Sequence, residues 1–95
     1  MHFVRDANYI SDYKLILTFD DGVIKQVDLR QYLKGKIFEP LKNIDYFKTV
    51  KVNSDIDTIV WDNGADISPD FLYEIGEEVI TESTINDSSN TIQKS

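Results

Sequence analysis

The segment that most limits how this chain can fold is an alternating strand followed by an Asp-Gly turn. Residues 13–19 read YKLILTF, and this alternation is typical of a strand with one buried face. The buried face would carry Tyr13, Leu15, Leu17 and Phe19. Asp21-Gly22 then predicts a tight turn, because glycine accepts a positive φ without steric cost. Val23–Asp28 returns as the partner strand, so the sequence predicts an antiparallel hairpin.

Shorter elements flank this hairpin. Phe3–Ile10 predicts a first strand, with either Val4 and Ile10 or Ala7 and Tyr9 facing the core. A short helix is predicted at 29–34, with Asp28 as its cap and Gly35 at its end. An apolar connector at 37–41 and a helical turn at 43–48, capped by Asn43 or Asp45, should follow. Strands are predicted at 49–52 and 58–61, with a polar loop between them.

The segment 61–74, WDNGADISPDFLYE, predicts a strand end, a turn and a capped helix. Asn63-Gly64 is a turn pair. Ser68 is a good N-cap and Pro69 suits the first helical position. Ile67 and Leu72 have the spacing of a hydrophobic staple. The helical apolar stripe would comprise Phe71, Leu72, Ile75 and Val79, with Gly76 marking either the end of the helix or a close packing contact.

These elements predict one α+β domain at residues 1–80, followed by a disordered tail at 81–95. The domain would contain an antiparallel sheet of about five strands, built from a three-strand meander and a second hairpin, with two or three short helices. A chain of 95 residues holds one domain at most. Residues 81–95 lack the apolar content needed to offset the entropy of ordering them.

Composition argues against most enzyme chemistry. The chain has no cysteine and one histidine, His2, which we expect to lie exposed near a frayed terminus. A serine nucleophile would then lack a base. Asp55 and Asp62 each fail as the first ligand of a calcium loop, because Val60 and Ile67 stand where glycine is required. We therefore predict no catalytic residue, no metal site and no cofactor.

The charge of −7 is distributed unevenly. Residues 1–51 hold nine Lys/Arg and seven Asp/Glu, whereas residues 52–95 hold ten Asp/Glu and one lysine, Lys94. An acidic surface repels phosphates, so we expect no nucleic acid partner for that half. The acidic half has two interpretations: a solvated face that aids solubility, which is the commoner case, and a docking face for a basic protein.

The sequence also favours a cytoplasmic protein without a membrane segment. The N-terminus, MHFVRDANYI, lacks the apolar core of a signal peptide, and no apolar run approaches the ~20 residues that span a bilayer. The lack of cysteine fits a reducing compartment.

Four residues are candidates for a recognition surface: Trp61, Asn63, Asp66 and Tyr73. They remain after capping and stapling account for their neighbours, and they follow a strand end, where loops often carry function. Asp66 has a structural alternative, in which its carboxylate accepts backbone N–H groups of the Asn63-Gly64 turn.

Three blocks together resemble domain of unknown function family 2442. They are LTFDDGVIKQVDL at 17–29, GKIFEPLKN at 35–43 with YFKTVKV at 46–52, and TIVWDNGADISPDFLYE at 58–74. The similarity covers roughly residues 3–75. The family usually shows a tryptophan, a proline, Asn-Gly-Ala-Asp, a second proline and Leu-Tyr. Asp62 replaces the first proline, and the other positions match.

The resemblance implies a small α+β domain from bacteria or phages. Some relatives continue into a helix-turn-helix DNA-binding domain, for which we expect no room after residue 80. Others are encoded beside a second small protein, as in toxin–antitoxin-like pairs. We therefore expect a non-enzymatic protein-interaction or regulatory module. Within such a gene pair it would be the neutralising half. The alternative is a small-ligand or metal-dependent activity centred on Asn63, Asp66 and Tyr73.

Overall fold

The structure, a computed structural model, describes residues 1–79. The predicted tail, residues 81–95, lies outside the described residues. The strands are β1 (Val4–Ser11), β2 (Lys14–Phe19), β3 (Ile24–Asp28), β4 (Lys51–Asn53), β5 (Thr58–Val60) and β6 (Glu77–Glu78). The helices are two 3-10 helices, Arg30–Tyr32 and Lys36–Lys42, and two α-helices, α1 (Ile44–Phe47) and α2 (Pro69–Ile75).

The α+β class is confirmed, and the strands form two antiparallel sheets. The first has the order β1-β2-β3-β6, and the second pairs β4 with β5. The meander and the second hairpin are therefore present as predicted, but the hairpin is a sheet of its own. The fourth strand of the main sheet is β6, which lies in a segment that the sequence assigned to a helix.

Alternation along β2 sets the inner face of the main sheet. Leu15, Leu17 and Phe19 are all buried there, as predicted. They belong to a core that both sheets and the helices share, with members Val4, Leu15, Leu17, Phe19, Val27, Leu29, Leu33, Leu41, Phe47, Ile59, Trp61, Ala65, Ile67 and Leu72.

A bulge in β1 decides which of its residues face that core. The register with β2 shifts between Val4 and Asp6, and the extra residue reverses the alternation at that point. Val4 is consequently buried on the same side as Ala7 and Tyr9, which pack against the core. Ile10 is 44% exposed. The alternative with Ala7 and Tyr9 facing the core is thus right, and of the other pair only Val4 faces the core.

The helical segments between the sheets differ from their predictions. The helix predicted at 29–34 is a 3-10 turn that ends at Tyr32. Asp28 is the last residue of β3, and its carboxylate accepts the backbone N–H of Arg30 at 3.0 Å. The connector predicted at 37–41 is a 3-10 helix that includes Pro40. The cap by Asn43 on α1 is confirmed, since its side chain accepts the N–H of Asp45.

The start of α2 follows the sequence, whereas its end does not. Ser68 caps the helix and Pro69 is its first residue. The helical apolar stripe is predicted to continue to Val79. The helix ends at Ile75, because the backbone is extended at Gly76. A Cβ at Gly76 would lie 3.0 Å from the carbonyl oxygen of Leu72 and from carbons of Lys25 and Val27. Gly76 therefore both ends the helix and packs closely, and residues 77–79 pair with β3.

Gly22 provides a direct test of the β2–β3 turn. Its φ is +86°, and an added Cβ would meet nothing within 4 Å, so a substitution there strains only the backbone. We expect Gly22→Val to lower the free energy of unfolding by about 1–3 kcal/mol. Gly22→Asn should cost less, because Asn tolerates the left-handed region better. Chemical denaturation measures both, and equal stability of parent and valine variant would contradict the turn.

Candidate functional site

Two turns, one between β2 and β3 and one directly after β5, have the same five-residue geometry. Residues 19–23 read FDDGV and residues 61–65 read WDNGA. In each, the N–H of the aromatic residue donates to the carbonyl of the aliphatic residue, at 2.9 Å in both. The glycine N–H donates back to the aromatic residue's carbonyl, at 2.9 and 3.0 Å, and the glycine φ values are +86° and +91°. This is a three-residue loop closed by a left-handed glycine.

The third residue of each turn makes a second set of bonds. The Oδ1 atom of Asp21 accepts the N–H of Val23 at 2.9 Å, and that of Asn63 accepts the N–H of Ala65 at 3.1 Å. The remaining polar atom reaches a distant segment. Asn63 donates through Nδ2 to the carbonyl of Ile37 at 2.9 Å. Asp21 accepts the hydroxyl of Tyr73 through Oδ2 at 2.9 Å.

The bond from Asn63 holds the second 3-10 helix against the second hairpin, and an open groove forms beside it. We call this surface the apolar groove. It has a volume of about 450 Å³ and is lined by Tyr32, Phe38, Asp66, Ile67, Ser68 and Phe71. Tyr32 and Phe71 meet edge to face with ring centroids 5.1 Å apart. The lining is mainly aromatic and aliphatic.

Asp66 is the one sequence-predicted candidate that lies in the apolar groove. Its backbone is fixed by an antiparallel bridge to Val60, and its side chain is exposed. Among residues 1–79 its carboxylate takes part in no hydrogen bond and no ion pair. The turn acceptor is Asn63, so the structural role considered for Asp66 belongs to its neighbour.

The other three candidates serve the fold where they stand. Trp61 is 2% exposed, and its indole N–H donates to the carbonyl of Phe47 at 2.8 Å. Both polar ends of the Asn63 side chain are bonded within the domain. Tyr73 lies two residues after Phe71 on α2, which places it about 200° around the helix axis. The four candidates therefore do not converge on one surface.

Tyr73 belongs instead to a cluster at the β2–β3 turn. The His2 ring stacks on it with centroids 3.5 Å apart, so His2 is not the free terminal residue that the sequence predicts. The Lys25 ammonium lies 3.8 Å from the centroid of the Tyr73 ring and donates to the Tyr73 carbonyl at 2.6 Å. Phe19 contacts the same ring edge to face. The cluster joins α2 to the main sheet.

Electrostatics within this cluster shift two pKa values in opposite directions. The pKa of Asp21 is lowered, first by the N–H that Val23 donates to its carboxylate and then by the Tyr73 hydroxyl. The pKa of Tyr73 is raised, chiefly because its hydroxyl donates to Asp21. At the second turn, the exposed pair of Lys51 and Asp62 (2.7 Å) raises the lysine pKa.

Other features of the described surface offer little for chemistry. Within residues 1–79 no group of three or more His, Cys, Asp or Glu side chains is arranged to hold a metal ion. A second, polar cleft of about 300 Å³ is lined by Lys14, Gln26, Asp28, Gln31, Tyr32, Ile75 and Glu77. No helix in that part of the chain is long and apolar enough to cross a bilayer.

The comparison with known families agrees with the resemblance of the three sequence blocks. The model of the family described as protein of unknown function (DUF2442) matches residues 4–78. The chain belongs to the DUF2442 family. The match spans every strand and helix described above, from β1 to β6. No curated protein and no solved structure matches the chain.

The turn geometry explains how this DUF2442 chain departs from the usual family pattern. Asp62, which replaces a proline, is the second residue of the turn that starts at Trp61. Proline is favoured at that position of common β-turns, since its φ is already suitable. Asp62 instead bonds Lys51 across the hairpin. The substitution exchanges a rigid turn residue for an exposed ion pair.

Asn63 should be more important for stability than its neighbour in the same turn. Asn63→Asp keeps the acceptor for the Ala65 N–H but loses the donor to Ile37, so we expect a loss of about 1–2 kcal/mol. The matched control is Asp62→Asn, which removes only an exposed ion pair and should cost less than about 0.5 kcal/mol. Chemical denaturation ranks the two variants. Equal losses would contradict a tether between Asn63 and Ile37.

The bond between Tyr73 and Asp21 should be visible in alkaline titration. Because the folded pKa of Tyr73 is raised above its ordinary 10.0, its contribution to stability is present below pH 10 and is lost as pH rises through the folded value. We expect one tyrosine of the parent to ionise late in a tyrosinate absorbance titration. Tyr73→Phe should remove that step, Asp21→Asn should move it towards pH 10, and Tyr46→Phe should keep it. A late step that survives in Tyr73→Phe would contradict the assignment.

Proposed function

We propose that this DUF2442 domain is a non-enzymatic protein-interaction module whose apolar groove receives a segment of a partner protein. The observation that carries the proposal is the groove itself: an open surface lined by Tyr32, Phe38 and Phe71, with the Asp66 carboxylate at its side. Rigid aromatic side chains in a concave surface are typical of binding hot spots. The hydrogen bond from Asn63 to Ile37 supports the wall that Phe38 belongs to.

The shape of the groove favours a protein segment over an enclosed small ligand. Ligand sites usually bury most of the molecule they bind, whereas this groove is open to solvent. The aromatic residues of the lining are half-buried, so their ring faces are held by the fold and remain accessible to a partner. An interaction role accounts for both the openness and the aromatic lining.

The alternative activity, centred on Asn63, Asp66 and Tyr73, ranks second. It would need the three side chains to converge on one ligand. Asn63 uses both polar ends within the domain, and the hydroxyl of Tyr73 is bonded to Asp21. Tyr73 also lies on the side of α2 away from Phe71. Within the described range, Asp66 is the one of the three whose polar side-chain group is not bonded.

The biological setting of the module is proposed from the family resemblance. Small relatives encoded beside a second small protein suggest a regulatory or neutralising role within a bacterial or phage gene pair, in the cytoplasm. A neutralising protein works by covering a surface of its partner. A groove with a rigid, preformed wall suits that task, because less conformational entropy is lost when the partner docks.

Affinity capture from the native host, followed by mass spectrometry, tests the proposal. The parent protein should retain a specific protein that Phe71→Ala loses, since the substitution removes an aromatic wall of the groove. Ile10→Ala is the matched control, because it truncates an exposed apolar side chain outside the groove lining. Thermal melts should show that both variants are folded at the capture temperature. A partner retained by Phe71→Ala but lost by Ile10→Ala would place the interaction elsewhere.

A further inference from the structure

We infer, on the basis of the proposed function, that the partner segment carries one large apolar side chain with a single Lys or Arg beside it. The apolar side chain would fill the groove, and the cation would bond the Asp66 carboxylate. The inference concerns the chemistry of the partner, which the proposal of an interaction module leaves open.

The apolar part of the partner follows from the lining. Tyr32, Phe38 and Phe71 present carbon surface, and the volume of about 450 Å³ falls within the range of about 300–1,000 Å³ typical of binding pockets. The edge-to-face contact of Tyr32 and Phe71 fixes both rings, so the groove loses little freedom when it is filled. An aromatic or long aliphatic side chain gains most from such a site.

The cationic part follows from Asp66. Among residues 1–79 it is the only charged residue in the groove lining, and no cation in that range pairs with it. Its backbone is held by the bridge to Val60, so the carboxylate is carried on a fixed support. Because the Asp66 side chain is exposed, water screens such a charge-assisted hydrogen bond in part, so we expect a preference for a cation and not a requirement. An anionic partner would instead be repelled.

The charge of the surrounding segment agrees with this preference. Residues 52–79, the segment that contains Asp66 and Phe71, hold eight Asp/Glu and no Lys/Arg. The groove lining itself offers the one carboxylate of Asp66, so a single cation beside the apolar anchor is enough to match it.

Three capped hexapeptides test the inference by NMR titration of the isotope-labelled protein. Each contains one phenylalanine followed by arginine, citrulline or glutamate, with glycine and serine elsewhere. Citrulline keeps the shape of arginine without its charge. The arginine peptide should shift the amides of Phe38, Ile67 and Phe71, and should bind about threefold to tenfold more tightly than the citrulline peptide.

Variants assign the preference to one carboxylate. Asp66→Asn should remove the advantage of arginine over citrulline while the citrulline peptide binds as before. Asp62→Asn, which removes an exposed carboxylate outside the groove lining, should keep the full advantage. Equal binding of the arginine and citrulline peptides to the parent, or tighter binding of the glutamate peptide, would overturn the inference and leave the interaction module standing. If none of the three peptides shifts the amide signals of the groove residues, the inference is also overturned. The interaction module would still be supported in that case if the parent protein captures a partner that Phe71→Ala loses.

Discussion

The structure depends on one kind of side-chain interaction, in which an Asx residue closes a turn with one atom and fixes a distant segment with the other. Asn63 closes the turn after β5 and bonds the 3-10 helix at Ile37. Asp21 closes the turn after β2 and bonds Tyr73 on α2. Each of these bonds ties a local turn to an element that is distant in the sequence, and it adds to the core contacts between them.

The consequence for function is that α2 presents three different faces in three consecutive residues. Phe71 faces the apolar groove, Leu72 is buried in the core, and Tyr73 is held by the β2–β3 turn. The core and the turn fix the helix, so Phe71 is available as a rigid wall. Recognition surfaces work best on such supported elements. The groove is thus a product of how the fold is tied together.

Local chemistry made the hairpins, the Ser68 cap and the turn glycines predictable, since each depends on residues close in sequence. What escaped prediction depends on contacts across the chain. The bulge in β1 follows from pairing with β2, and β6 exists because Gly76 lets the chain approach Lys25 and Val27 closely.

Asp66 could be singled out because its neighbours had other roles. Tyr32 could not, because it lies on a 3-10 helix of three residues, which is too short for an apolar period. The likeness of FDDGV and WDNGA was the available signal for the shared turn.

The central claim is that the Asn63 side chain holds the groove wall in place. The most direct measurement is the scalar coupling through the hydrogen bond from Nδ2 of Asn63 to the carbonyl carbon of Ile37, together with exchange of the side-chain amide protons. Asn43 is the internal reference, because its Oδ1 also accepts a backbone N–H and its side chain is exposed. The account predicts a measurable coupling and slower exchange at Asn63 than at Asn43. No coupling, with equally fast exchange at both residues, would contradict it.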